Sequence, residues 1–202
     1  MDNNNENTLN NENTLNIENT QNNENTPNAQ NSKNKQIVLA NIISFLPLPI
    51  FICLLLYTLI RISENKTDKL INIILVSFLI SLILSEILKK VLYKKFKGTE
   101  RPDGAKGTDF FSRGPDVSGK PGFPSGHMSM TSAICFTIIL FLVKSNYFEN
   151  ISPIKRTLFV MLNIFAIIIM GWARHIKKCH NLFQIYGGTI LGTTISSLLF
   201  FF

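Results

Sequence analysis

Cysteine is scarce in this chain, and its three residues, Cys53, Cys135 and Cys179, are odd in number and far apart, two of them inside apolar runs. That excludes a disulfide framework and any zinc site of ordinary ligand spacing. Carboxylates show no metal-binding pattern either: Asp103, Asp109 and Asp116 share one polar stretch, but their spacing reads as solvated loop charge. Aromatic and branched apolar residues are nearly missing from Met1 to Lys35. Such a segment cannot bury enough surface to offset its ordering entropy, so residues 1–35 are expected to be a disordered, Asn-rich leader. A hexapeptide x-E-N-T-x-N recurs four times there, between Asn5 and Asn28. The unit is too short and too polar to stack as a solenoid, and it reads as low complexity. The first apolar run begins only at about Ile37 and is too long for the h-region of a secretory signal.

What is present is apolar sequence in blocks. A bilayer core needs about 20 mainly apolar residues per helix. Five segments meet or approach this: Ile37 to Ile60, Leu70 to Leu88, Met128 to Val143, Leu158 to Trp172, and Leu182 to Phe202. The expectation is an all-α, multi-pass transmembrane helical bundle of about five spans, with residues 36–202 forming one membrane-embedded domain. The third and fourth runs are short and would draw flanking polar residues to the headgroups. Of the connections, Arg61 to Lys69 and Lys144 to Arg156 are short and plain, whereas Lys89 to His127 is long, basic and rich in glycine and proline. Long loops of that kind tend to be functional.

Five crossings put the leader, the long loop and the turn Arg174 to Asn181 on one face of the membrane. Lysine and arginine gather there, including Lys94, Arg101, Lys106, Arg113, Arg174, Lys177 and Lys178. Basic residues set between spans rather than on a soluble domain do not indicate nucleic acid. They suit an anionic headgroup. The positive-inside rule would place this face in the cytosol. Asn65-Lys66-Thr67 on the other face is a glycosylation sequon whose use would agree.

Three stretches on the basic face carry residue types that phosphoryl transfer requires. In the first, Lys94 to Pro102, Arg101 offers a rigid fork of donors to phosphate oxygens and Lys94 a point charge. The second is Pro121-Gly122-Phe123-Pro124-Ser125-Gly126-His127, where the Ser125 hydroxyl and the N–H groups near Gly126 fall at a helix start, a natural anion site. His127 follows, with an imidazole able to act as acid or base near neutrality. The third runs from Ala173 to Gln184. Here His180 and Gln184 are one helical turn apart, so the amide can hold one ring nitrogen and leave the other as a nucleophile. His175 reads as interfacial, and Glu86 as a partner for Lys90.

Together the stretches resemble the type 2 phosphatidic acid phosphatase superfamily, whose pattern is K-x6-R-P, then P-S-G-H, then S-R-x5-H-x3-D. Lys94, Arg101-Pro102, Pro124 to His127, Arg174 and His180 match it, and the resemblance covers about Lys89 to Leu191. It implies an integral membrane phosphatase that hydrolyses a lipid phosphate or a polyprenyl diphosphate, in the endoplasmic reticulum or another endomembrane. It also implies His180 as nucleophile forming a phosphohistidine, and His127 as proton donor and then base. Lys94, Arg101, Arg174, Ser125 and Gly126 would bind phosphate, without metal or cofactor. The chain departs from the pattern at Ala173, where the family has Ser, and at Gln184, where it has Asp. Dolichyldiphosphatases also carry Gln there, whereas Pro-Ser-Gly-His looks more like the general lipid phosphatases. On this reading Gln184→Asp should preserve or raise activity. The alternative is a catalytically silent membrane protein that binds lipid phosphates.

Overall fold

The structure, a computed structural model, describes residues 27–64, 68–107 and 115–202. The leader up to Thr26, the sequon Asn65 to Thr67, Asp109 and Arg113 lie outside them. The chain forms two units, Met1–Ile37 and Val38–Phe202. The described part of the first is the polar start of a helix, and everything below concerns the second.

The helices are α1 (Pro27–Phe45), α2 (Pro47–Ser63), α3 (Lys69–Lys95), α4 (Gly126–Lys144), α5 (Pro153–Ile176) and α6 (Leu182–Phe201), with a 3-10 turn at Asn146–Phe148. No strand occurs among the described residues. Five stretches are long and apolar enough to cross a membrane: Asn31–Ser63, Lys69–Lys95, Gly126–Lys144, Pro153–Ile176 and Leu182–Phe201. The protein is an all-α, multi-pass membrane bundle.

The first span is broken, which its apolar pattern does not reveal. Pro47 has no N–H, so the hydrogen-bond ladder lapses at Leu46, which itself keeps helical φ and ψ, and a second helix runs on with proline in its first turn. Helices α3 and α5 outrun the apolar runs Leu70 to Leu88 and Leu158 to Trp172. Long lysine stems can lie along apolar surface while their ends reach water, so helix continues past the last apolar residue.

The bundle buries a row of hydroxyls beside its apolar core, and its outside is apolar. Ser77, Ser81, Ser85, Ser129, Ser132, Thr137 and Ser196 are fully buried, whereas Ile83, Phe159, Phe165 and Ile168 are exposed. In lipid, helices associate through small residues and hydroxyls rather than by hiding apolar surface. Helix α4 is central and packs on α3, α5 and α6. Its contact with α6 is the closest, because Gly188 and Gly192 face it one turn apart. A methyl on Gly188 would strike the Ser125 carbonyl, and one on Gly192 the Ser129 carbonyl. Ser196 Oγ completes the seam by donating to the Ala133 carbonyl at 2.8 Å. This seam carries the start of α4 against the start of α6.

Candidate active site at the basic end of the bundle

The long loop after α3 folds back on itself. Arg101 N–H donates to the Lys120 carbonyl at 2.9 Å, Gly122 N–H to Thr99 at 2.9 Å and Val117 N–H to Ala105 at 2.9 Å. These pairings set Arg101 beside Pro121 and Gly122, just ahead of α4. Gly122 has no room for a side chain: a Cβ would lie 2.8 Å from Gln184 Nε2 and 2.9 Å from Arg101 Cγ. The loop also reaches the α5–α6 turn, where Lys106 N–H donates to the Lys177 carbonyl at 3.3 Å.

At the head of α4, Ser125 is the N-cap residue, and Gly126 and His127 open the first turn. The first N–H groups of a helix have no partner within it and carry its positive dipole end. The Ser125 hydroxyl is fully buried and meets no hydrogen-bond partner among the described residues. Beside it stands Lys89, whose Nζ is 3.1 Å from where a Cβ of Gly126 would be. Lys89 is ion-paired with Glu86, so Glu86 does not serve Lys90. Lys94, selected by the K-x6-R-P spacing, is exposed in the last turn of α3, whereas Lys89 is buried. The geometry therefore puts Lys89, not Lys94, at Gly126.

The third stretch supplies buried Arg174, His180 and Gln184, with Lys177 buried among them and His175 exposed. Arg174 Nη1 donates to Ser44 Oγ at 3.1 Å, which ties the end of α1 to the site. Ala173 is fully buried.

Gln184 joins all three stretches. Its Nε2 donates to the carbonyls of Glu100 at 2.7 Å and Thr99 at 3.3 Å. Its own carbonyl accepts from Ser125 N–H at 3.0 Å. Its Oε1 lies 3.1 Å from His180 Nδ1 and accepts from Asn181 N–H at 3.3 Å. Asn181 Oδ1 in turn accepts from Gln184 N–H, closing a capping box at the start of α6.

A protonation state follows. Backbone carbonyls only accept, so the amide nitrogen must face Glu100 and Thr99, and Oε1 must face His180. An amide oxygen only accepts too. His180 therefore carries its proton on Nδ1 and leaves Nε2 as a bare lone pair. Burial, and then the charges of Arg174 and Arg101, push the His180 pKa well below the ordinary imidazole value, with the Gln184 hydrogen bond opposing them.

The charges of Arg174, Arg101 and Lys89 reach both His127, in the first turn of α4, and His180, just ahead of α6. Sequence reading missed Lys89, although Ser77, Ser81, Ser85 and Lys89 recur every four residues and mark one buried stripe of α3. Ser44 and the carbonyls of Thr99 and Glu100 left no signal of that kind.

Compared with known proteins, the chain matches the PAP2 superfamily over residues 73–202. No curated protein and no solved structure matches it. The matched region runs from the first turns of α3 to the end of α6 and contains every side chain of this pocket except Ser44.

Proposed function

The chain belongs to the PAP2 superfamily, and from that premise we propose that it is a membrane phosphatase that hydrolyses a lipid phosphate through a phosphohistidine at His180. The observation that supports this most directly is the tautomer imposed by Gln184: a neutral imidazole with its lone pair on Nε2, among fixed cations.

Nε2 of His180 attacks phosphorus and forms the N–P bond as the P–O bond to the lipid breaks. His127 gives its proton to the departing oxygen. It then takes a proton from water, whose oxygen attacks the phosphohistidine and releases inorganic phosphate and free His180. Arg101, Arg174, Lys89, the Ser125 hydroxyl and the N–H groups near Gly126 hold the phosphoryl oxygens. Donors fixed in place before the reaction stabilise the charge that builds there. Fixed cations take the part a divalent ion would play, so turnover continues in EDTA. A polyprenyl diphosphate is the second substrate class to assay beside phosphatidate.

The test is to incubate purified full-length protein with ³²P-phosphatidate and EDTA, and to quench in alkali. Released phosphate together with an alkali-stable, acid-labile label on the protein, both lost in His180→Ala, is the expected result. Phosphate release that survives His180→Ala excludes the covalent route. Binding without release in the unaltered protein would identify a silent lipid-phosphate binder.

A further inference from the structure

A cavity of about 490 Å³ lies between the first span, α4 and α5. Its position is fixed by helical register. Thr131 in its wall is one turn beyond His127 on α4, and Met170 is one turn before Arg174 on α5. Ile43, also in the wall, precedes the Ser44 that holds Arg174. Helix α4 leaves the site end of the bundle and α5 approaches it, so both offsets point into the membrane. The cavity therefore begins roughly 5 Å, one helical turn, beneath the phosphate pocket.

The wall is aliphatic and aromatic almost throughout. Thr131 is its exception: the hydroxyl is buried, with no partner among the described residues, and it stands at the end nearest His127. A polar group at the mouth of an apolar cavity suits a molecule whose polarity ends there. The volume falls in the range of small-molecule sites. Leu46 and Pro47, where the hydrogen-bond ladder of the first span lapses, form part of the wall. On the bilayer side the wall includes Leu162, Phe165 and Ala166 of α5, all exposed.

We propose that this cavity holds the hydrocarbon tail of the substrate, with the tail leaving the scissile oxygen at His127, passing Thr131 and lying between α2, α4 and α5. The proposal rests on the phosphatase reading for where the phosphate sits, and it deepens that reading: the preferred substrate is a phosphate ester with a long apolar chain, not a soluble one.

Two measurements test it. Ala166→Trp fills the cavity from the exposed face of α5. It should lower the ratio of kcat/KM for dioleoyl phosphatidate to that for dihexanoyl phosphatidate at least tenfold, and Ala166→Ser should not. An unchanged ratio overturns the proposal. In the second, full-length His180→Ala is placed in phosphatidylcholine vesicles and photolabelled with phosphatidate carrying a mid-chain diazirine. Peptides spanning Thr131 to Cys135 and Leu162 to Met170 should be labelled at least fivefold more than by diazirine phosphatidylcholine at the same mole fraction. Equal labelling means the cavity takes ordinary bilayer lipid, and the proposal fails. Labelling does not require turnover, so it decides the proposal even where no phosphatidate is hydrolysed, a result that would instead remove the phosphatase reading.

Discussion

Gln184 Oε1 stands 3.1 Å from His180 Nδ1 while the same amide donates to the Glu100 carbonyl at 2.7 Å. The loop backbone thus dictates which nitrogen of the histidine carries the proton. A carboxylate could accept from His180 but could not donate to Glu100 and Thr99. The reading of Gln184 from sequence, as an amide that merely orients through its oxygen, misses this second half.

The expectation that Gln184→Asp preserves or raises activity is therefore revised. Aspartate is shorter, loses the capping box and leaves two carbonyls without their donor, each at about 1–3 kcal/mol where buried. We predict that kcat falls at least about 10²-fold, the size of a lost positioned acid–base contribution. Gln184→Glu keeps the reach and should lose less activity than Gln184→Asp. Steady-state kinetics on phosphatidate, with thermal unfolding to confirm folding, compare the two; equal or higher activity in the aspartate variant would refute the part given to the amide's donation to Glu100 and Thr99.

Lys89 and Lys94 make a second contrast. Lys89 is buried beside Gly126, and its partner Glu86 is exposed, so Lys89→Met strands no buried carboxylate. The variant should keep its fold and lose about 10²-fold in kcat/KM, or roughly 2.7 kcal/mol of transition-state stabilisation. Lys94→Ala should stay within about twofold, as surface substitutions usually do. A large loss in Lys94→Ala with none in Lys89→Met would restore the assignment made from motif spacing.

These two cases show what sequence can carry. The five spans were legible because apolar blocks of bilayer length have few other uses, and Pro124 to His127, Arg174 and His180 because order and spacing recur within a family. Lys94 fitted the spacing, but α3 runs on to Lys95, and on a continuous helix Lys94 points away from the stripe ending at Lys89. Motif spacing counts residues; only the helix says which way they face. The break at Leu46 was hidden because prolines occur within an otherwise unbroken apolar run. The Asn181-x-x-Gln184 capping box went unread in the sequence, and the Glu100 carbonyl across from it belongs to a loop whose path no local pattern fixes.

The depressed pKa of His180 gives a pH prediction with a definite sign. Unfolded, the imidazole takes up a proton near pH 6.5, whereas folded it stays neutral to well below that. Below about pH 6.5 the unfolded chain therefore binds more protons. The stability tied to neutral His180 is whole above that pH and drains as pH falls toward the folded pKa. The apparent Tm of the unaltered protein should accordingly drop more between pH 7.5 and pH 5 than that of His180→Asn. Parallel pH profiles for the two proteins would show that His180 is not held neutral.

The glycine seam between α4 and α6 ties packing to the site. Gly188 abuts the carbonyl of Ser125, the N-cap residue of α4, and Gly192 abuts that of Ser129 one turn further along. Backbone atoms cannot swing aside as a side chain can, so Gly188→Ala or Gly192→Ala must push the helices apart, at about 1–3 kcal/mol. The two positions should nevertheless differ in kind. Gly188→Ala displaces the Ser125 end of α4 directly, and is expected to cut kcat/KM more than its loss of Tm would suggest. Gly192→Ala should lower Tm comparably with a smaller effect on turnover. Gly171 is the control, because a Cβ there meets Ile185 Cγ2 at 3.5 Å, an ordinary contact. Gly171→Ala should leave activity intact and hold or slightly raise Tm, since alanine favours helix over glycine. If all three substitutions proved equally harmless, the close approach of α4 and α6 that assembles the pocket would be wrong.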